Sequence, residues 1–183
     1  MDRTLVERAQ QGDREAYEAI ARASARRLFL TAHRIVRDTD RADDAVQQTL
    51  VAIWRELPSL RDPDRFEAWA YRLVVRFCLA ESRRARRSGV REIRIDETTP
   101  TGGDAIADAD LRDQLERALR QLSLEHRTVV VLHHYSGLPL VDIAEILGVP
   151  YGTVRSRLHH ATTALRAAVA AGERTTVIGG QPA

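Results

Sequence analysis

The chain has 183 residues, 44% of them hydrophobic and 30% charged, which suits one medium or two small folded domains. No apolar run reaches the length of a membrane span and no secretory leader opens the chain, so we expect a cytoplasmic protein without membrane insertion. The net charge is only +2, but all 28 lysine-plus-arginine positions are arginine, so clusters of arginine carry the information about partners.

Apolar residues recur at helical spacing through the first half of the chain, and no alternating strand pattern interrupts them. A short helix or helix pair, broken near Gly12–Asp13, opens the chain, and Leu28 to Val36 form the stripe of the next helix. Asp38–Thr39–Asp40 offers capping oxygens to a helix from about Ala42 to Leu57. A further helix is predicted from about Asp64 to Arg87.

The polar side of the helix at 42–57 is rich in acids and amides: Asp40, Asp43, Asp44, Gln47, Gln48 and Glu56. Two interpretations stay open for this face, a solvated helix surface or a docking surface for a basic partner. Metal binding is not predicted, because adjacent residues such as Asp43 and Asp44 point about 100° apart on a helix.

Eight arginines lie between residues 65 and 91, and aromatic residues are interleaved with them. Guanidinium groups bind backbone phosphates and aromatic rings accept unstacked bases, so the pattern favours single-stranded or melting DNA. We expect Phe66 and Phe77 to pack in the core, while Trp69 and Tyr71 suit either role. A phosphate contact is predicted for four closely spaced arginines, Arg83, Arg84, Arg86 and Arg87.

Residues 92–110 differ in composition from the segments around them. They carry six acidic residues against one arginine, a net charge of −5, and little periodic apolar content. The pattern predicts a flexible acidic linker; the alternative is an ordered loop within one domain. Periodicity returns at Leu111, in a helix that reaches Leu122, and Ser123 is placed to cap the following helix.

Residues 138–165 read LPLVDIAEILGVPYGTVRSRLHHATTAL, two short helices around a tight turn. Gly148 suits a left-handed residue at the end of the first helix, and arginines and hydroxyls begin the second. This pattern is typical of a helix-turn-helix, which places its second helix in the DNA major groove. An ordinary helical hairpin with a solvated basic face is the alternative. The predicted outward, DNA-binding positions are Tyr151, Thr153, Arg155, Ser156, Arg157, His159 and His160.

The sequence therefore predicts an all-α protein of two small helical domains, residues 1–91 and 111–172. The flexible acidic linker joins them, the second domain contains the helix-turn-helix, and a disordered tail follows at 173–183. Phosphate-binding loops, zinc deaminase motifs and nucleophile elbows are absent, so we predict no enzyme, catalytic residue or cofactor. His133–His134 and His159–His160 are adjacent pairs rather than i,i+4 pairs, so no metal site is predicted.

Three stretches together resemble a known family: DRADDAVQQTLVAIWRELPSLRDPDRFEAWAYRLVVRFCLAESRRARR, LRQLSLEHRTVVVLHHYSGLPLVDIAEILGV and PYGTVRSRLHHATTALR. In this order, around a short linker, they are similar to the extracytoplasmic-function (group IV) sigma factors of bacterial RNA polymerase. The resemblance covers roughly residues 3–170. It implies a transcription initiation factor without enzymatic activity.

The resemblance also implies roles for particular residues. The stretch that docks on core polymerase would contain Asp43, Asp44, Gln47, Gln48 and Trp54. The residues placed at the promoter −10 element, which the first domain melts and reads, would be Arg65, Trp69, Arg72, Arg76, Arg83 and Arg84, with Arg86 and Arg87 assigned to the same surface. The helix that reads the −35 element would present Arg155, Ser156, Arg157, His159 and His160, to which the outward positions add Tyr151 and Thr153.

The partners implied are core RNA polymerase, promoter DNA and an anti-sigma factor. On the polymerase, the first domain would bind the clamp helices of the largest subunit and the second would touch the flap of the second-largest. Two other functions stay open: a helix-turn-helix regulator that binds an operator as a dimer, and an interaction module that binds no DNA.

Overall fold

The computed structural model describes residues 1–87 and 115–178, with backbone alone for 171–178. An N-terminal module contains α1 (Arg3–Gln10), α2 (Arg14–Val36), α3 (Thr39–Glu56) and α4 (Phe66–Arg87), with 3₁₀ turns at Leu57–Ser59 and Pro63–Arg65. A C-terminal module contains α5 (residues 115–121), α6 (Leu124–Val130), a π-helical turn (Val131–Tyr135), α7 (Leu140–Leu147) and α8 (Tyr151–Ile178). The described residues contain no strand, which confirms the all-α prediction. The predicted linker at 92–110 lies outside them.

Short polar side chains begin the helices by binding backbone N–H groups that have no partner within the helix. The carboxylate of Asp13 accepts from the Ala16 N–H at 3.1 Å, directly after Gly12, whose φ of 91° makes the preceding turn. Asp38 accepts from the Arg41 N–H at 2.9 Å, and Ser123 accepts from the His126 N–H. The capping roles predicted for Asp38 and Ser123 are confirmed.

The cap at Asp13 predicts a specific dependence of stability on pH. Its bond to the Ala16 N–H, followed by the bond from Arg8, lowers the pKa of Asp13 below its ordinary value of 3.8. A carboxyl whose pKa is lower in the folded state stabilises the fold above the unfolded pKa and loses this effect as pH falls through the folded pKa. Thermal unfolding should therefore give wild type a higher midpoint temperature than Asp13→Asn near neutral pH, and this difference in midpoint should shrink below pH 3.8. A constant difference across this range would contradict the assignment.

Two helices run further than the sequence predicted. Helix α2 is continuous from Arg14 to Val36, whereas we expected the Leu28–Val36 stripe to be a separate helix; Ser24 and Thr31 are fully buried and continue the inward face between the apolar residues. Helix α8 continues to Ile178, past the predicted start of a disordered tail at residue 173. The alanine-rich stretch at 167–171 favours this extension because alanine has the highest helix propensity.

The N-terminal module packs α2, α3 and α4 around one apolar core. Its fully buried side chains include Phe66, Ile20, Ile53 and Val74, each with 0% exposure. Cys78 is fully buried in α4, and burial raises the pKa of its thiol to about 12. The single cysteine of the sequence is therefore a packing residue. No helix in the described part of the chain is both long enough and apolar enough to cross a membrane.

The two modules pack directly against each other. Helix α7 lies on α4, while α6 and the π-helical turn lie on α2. Leu132, Ile143 and Ile146 of the C-terminal module join the same buried apolar cluster as the core of the N-terminal module. The amino-acid pattern gave no sign of this contact, because it predicted each module's apolar face only within that module.

Candidate nucleic-acid interface

Helices α7 and α8 form a helix-turn-helix whose turn is set by Gly148. This residue has a φ of 64°, in the left-handed region that glycine adopts without strain. The Val149 N–H donates to the Ala144 carbonyl at 3.1 Å and the Gly148 N–H to the Glu145 carbonyl at 3.3 Å, a Schellman ending. The prediction for Gly148 is confirmed, and the turn delivers the chain directly into α8 at Tyr151.

Helix α8 has a buried side and an exposed side. Val154 and Ala161 face inward with 0% exposure, and Thr153 is half-buried at the edge. The exposed side carries most of the predicted DNA-binding positions: Tyr151, Arg155, Ser156, His159 and His160. This side offers guanidinium, hydroxyl and imidazole donors on one surface, the groups that bond to base edges and phosphates.

Arg157 differs from its neighbours on α8. Its guanidinium lies 2.5 Å from a carboxylate oxygen of Glu125 at the start of α6, and its side chain is 23% exposed. This ion pair directs Arg157 toward the body of the module. Arg157 is therefore less exposed than most of the other predicted positions, and the exposed part of the set centres on Arg155.

Three arginines of the N-terminal module lie along one side of α4 and of the turn that precedes it. Arg65, Arg72 and Arg76 are exposed, at spacings that keep them on one helix face together with Trp69. Trp69 is half-buried, its ring centroid 6.0 Å from that of Phe66, and it lines a cavity of about 340 Å³ with Arg65 and Arg72. The Arg76 guanidinium lies 3.1 Å from a Glu56 oxygen. Phe66 is a core residue as predicted, and Tyr71 also belongs to the core, with 3% exposure.

The last turns of α4 carry Arg83, Arg84, Arg86 and Arg87, all exposed. Cations at this end of a helix are favoured by the partial negative charge of its free carbonyl groups. Arg84 also lies 3.2 Å from Glu81, a carboxylate that is 5% exposed and accepts a hydrogen bond from Gln48 of α3 at 3.1 Å. The structure thus anchors the base of this basic cluster to the neighbouring helix.

The predicted docking residues of α3 divide into two groups. Asp43, Asp44 and Gln47 are exposed, whereas Gln48 turns inward to bind Glu81. The aromatic residue of the set, Trp54, is 46% exposed. Its ring meets the edge of Tyr17 from α2, with the centroids 4.7 Å apart, which holds a large aromatic surface toward solvent.

Sequence reasoning missed several residues at these surfaces. Val51 is 50% exposed between Gln47 and Trp54, and a count of one helical turn from Gln47 places it on that face. Tyr17 donates its hydroxyl hydrogen to the Leu50 carbonyl at 2.9 Å, and burial raises its pKa. Asp142 and Glu145 of α7 lie within ion-pair distance of Arg65, and no pattern in the sequence predicts this contact.

Across the described residues, no group of three or more histidine, cysteine, aspartate or glutamate side chains is arranged to hold a metal ion. The exposed chemistry of the described surface is instead cationic and aromatic on α4 and α8, and acidic with one aromatic on α3. These surfaces are suited to binding polyanions and a protein partner, respectively.

Comparison with known proteins gives matches to both modules. Residues 20–88 match the sigma-70 region 2 family, and residues 112–165 match the sigma-70 region 4 family. The RNA polymerase sigma-H factor of Pseudomonas aeruginosa is 30% identical over 176 residues, which cover 90% of this chain and 91% of that protein. The ECF RNA polymerase sigma factor SigM of Mycobacterium tuberculosis is 32% identical over 154 residues, which cover 84% and 77% of the two chains.

A solved structure shows the same arrangement of helices. The sigma factor RpoE of Bartonella quintana, crystallised in complex with the anti-sigma factor NepR, superposes with a TM-score of 0.71 at 25% sequence identity. The alignment covers 84% of this chain and 96% of that one.

Proposed function

This chain belongs to the extracytoplasmic-function sigma factors, which direct RNA polymerase to promoters, and from that premise we propose how its two modules divide the work. Because both sigma regions match within one chain, this function is favoured over a dimeric operator-binding regulator. In the proposal, residues 1–91 bind core polymerase and the −10 element, residues 92–110 tether the modules, and residues 111–172 read the −35 element.

We propose that α3 docks on the clamp helices of the largest polymerase subunit. The exposed Asp43, Asp44 and Gln47 lie on the turns of α3 that precede Val51 and Trp54, so the face has acidic and amide groups at one end and an aromatic anchor at the other. Interfaces commonly take most of their affinity from such an aromatic anchor, while rim charges steer the encounter. The half-buried Gln48 acts from behind this face, through its hydrogen bond to Glu81. Contact with the flap of the second-largest subunit is assigned to the C-terminal module.

The −10 element is assigned to the basic side of α4. Arg65, Arg72 and Arg76 would bind phosphates, and the ring of Trp69 on the same face would stack on an unstacked base. The arginines that end the helix, Arg83, Arg84, Arg86 and Arg87, would bind the backbone further along the strand. The −35 element is assigned to the exposed side of α8, with Arg155 at its centre and Tyr151, Thr153, Ser156, His159 and His160 around it.

The contrast between Arg155 and Arg157 gives a prediction for −35 recognition. Arg155→Ala should weaken promoter binding by the holoenzyme by about 1–3 kcal/mol and relax base preference at its site, because an exposed major-groove arginine is lost. Arg157→Ala removes a side chain that binds Glu125, so it should change base preference little. Promoter titrations with intact and base-substituted −35 elements measure both. Equal losses of discrimination in the two variants would contradict the assignment.

The partners of the free factor follow by analogy with the structural neighbour. Because that sigma factor is held by an anti-sigma protein, we propose that an anti-sigma factor also regulates this chain, in the cytoplasm. Sigma factors are initiation factors without catalysis of their own, and we propose no reaction, cofactor or metal for this one.

One observation carries the proposal: a single chain joins an aromatic-centred acidic face, a basic helix face and a helix-turn-helix. The direct test is run-off transcription with purified core polymerase on genomic fragments, followed by mapping of the start sites. We expect discrete, factor-dependent starts that share upstream elements at two positions. Failure to bind core polymerase, or absence of any defined start, would overturn the proposed function.

A further inference from the structure

Two of the arginines assigned to −10 DNA bind carboxylates of the other module. The Arg65 guanidinium lies 3.0 Å from a Glu145 oxygen and 3.5 Å from an Asp142 oxygen. The Arg72 guanidinium lies 3.8 Å from the same Glu145 oxygen. Asp142 and Glu145 are three residues apart on α7, so one face of that helix carries both carboxylates toward α4. The modules therefore meet through complementary charge at the proposed DNA surface.

The same contact places α7 along one side of the cavity beside Trp69. Asp142, Glu145 and Ile146 of α7 form one wall of this space of about 340 Å³, and Trp69 with the 3₁₀ turn before α4 forms the other. A base that enters between Arg65 and Arg72 would meet α7. The arrangement of the free factor and a bound −10 strand therefore exclude each other.

We propose that α7 is an internal competitor of promoter DNA: in the free factor, Asp142 and Glu145 occupy the arginine face of α4 and block the −10 strand. The inference rests on the proposed −10 role of that face. A guanidinium fork that binds a carboxylate presents the same donors that it would offer to a phosphate, so it does not serve both. The two carboxylates thus stand where the charge of a DNA backbone would lie.

The ion pairs that close the molecule are of a kind that opens readily. Side chains of Arg65 and Arg72 are 50% exposed and that of Glu145 is 47% exposed, so solvent and salt weaken each pair. Polymerase that binds the two modules at separate places can therefore displace α7 from α4. This contact of Asp142 and Glu145 with Arg65 and Arg72 is called the latch below. It would prevent the free factor from binding single-stranded DNA without preventing it from binding polymerase.

A second line of contacts joins the modules away from the DNA surface. On α2, the Thr31 hydroxyl lies 3.2 Å from that of Ser136, and Arg34 stacks 3.7 Å from the ring centroid of Tyr135. Arg37 lies 2.9 Å from Glu116. A substitution that weakens these contacts would separate the modules and leave both the arginine face of α4 and its carboxylate partners on α7 unchanged.

The test follows the separation of the modules and DNA binding in the free, full-length protein. Spin labels at the exposed positions Arg22→Cys and Ala164→Cys report the distance, and the buried Cys78, with a pKa of about 12, stays unlabelled. In Asp142→Asn with Glu145→Gln, we expect longer distances and tighter binding of a fluorescent single-stranded oligonucleotide that carries the mapped −10 element. The gain in affinity should equal the ratio of open fractions; if nine-tenths of wild type is closed, it reaches about tenfold.

Three controls separate a latch from a general effect of charge. Glu15→Gln with Glu18→Gln removes the same charge from α2, and should change neither distance nor affinity. Tyr135→Ala weakens the second line of contacts, so it should also lengthen the distance and tighten DNA binding. Arg65→Glu should open the molecule, and the addition of Glu145→Arg should restore the short distance without restoring DNA affinity.

The outcomes distinguish this inference from the proposed function. Unchanged distances in the neutralised variant, or longer distances without tighter binding of the oligonucleotide, overturn the latch while run-off activity stands. Absence of defined start sites with wild-type factor defeats the proposed function whatever the distances show. Longer distances together with a matching gain in affinity support the latch.

Discussion

The Phe66→Ala variant is expected to lose about 3–5 kcal/mol of unfolding free energy, the usual loss for a fully buried phenylalanine. Phe66 is 0% exposed. It is the first residue of α4 and directly follows the 3₁₀ turn Pro63–Arg65. Its ring packs beside Trp69 and within the apolar core formed with α2 and α3. Truncation leaves a cavity that these helices cannot fill without shifting one another.

Urea unfolding followed by circular dichroism measures the loss at Phe66. The matched control is Val141→Ala on α7, where the side chain is 58% exposed and the change should stay within about 0.5 kcal/mol. A loss below about 1 kcal/mol for Phe66→Ala would mean that the ring is not the packing centre that its burial indicates. Because α4 carries the proposed −10 surface, reduced thermal stability should accompany reduced initiation.

The second large effect is expected at Trp54, on the proposal that α3 docks on core polymerase. Trp54→Ala should weaken binding to core polymerase by about 2 kcal/mol or more, roughly 30-fold, as for other aromatic anchors at interface centres. The ring is 46% exposed and braced by Tyr17, so it is presented in fixed orientation before the partner arrives. Fluorescence anisotropy with labelled factor and purified core polymerase measures the affinity.

The control for Trp54 is Val51→Ala, one turn earlier on the same face and 50% exposed. It removes a smaller apolar contact, so its effect on polymerase affinity should be several times smaller. Thermal unfolding of both variants shows whether loss of the Tyr17 contact disturbs the fold. Full polymerase affinity in a folded Trp54→Ala protein would place the docking surface elsewhere.

Much of the local structure was predictable because it depends on neighbours within four residues. The caps at Asp38 and Ser123 and the left-handed turn at Gly148 follow from side-chain and backbone chemistry at those positions. Burial of Phe66 follows from helical periodicity. The exposure of Arg155 follows from the same periodicity, applied to α8.

Other features failed the same reasoning for identifiable causes. Ser24 and Thr31 are polar, so they break the apolar pattern of α2 in the sequence. In the structure they lie on the buried side of the helix, which continues through them. Trp54 lies between the buried Ile53 and Leu57 at an apolar spacing, yet its ring is 46% exposed and lies against Tyr17. Arg157 was assigned to DNA from the sequence alone, which gave no sign that the start of α6 brings Glu125 within ion-pair distance of it.

The sequence by itself determined the all-α class, the caps at Asp38 and Ser123, the division into a basic and an acidic surface, and the resemblance that names the family. Only the tertiary structure decided which charges meet. Arg65 and Glu145 are 80 residues apart in the chain, and their ion pair exists because α7 packs on α4. Helical periodicity fixes the direction of a side chain relative to its own helix, whereas the partner it faces depends on how whole helices are arranged in space.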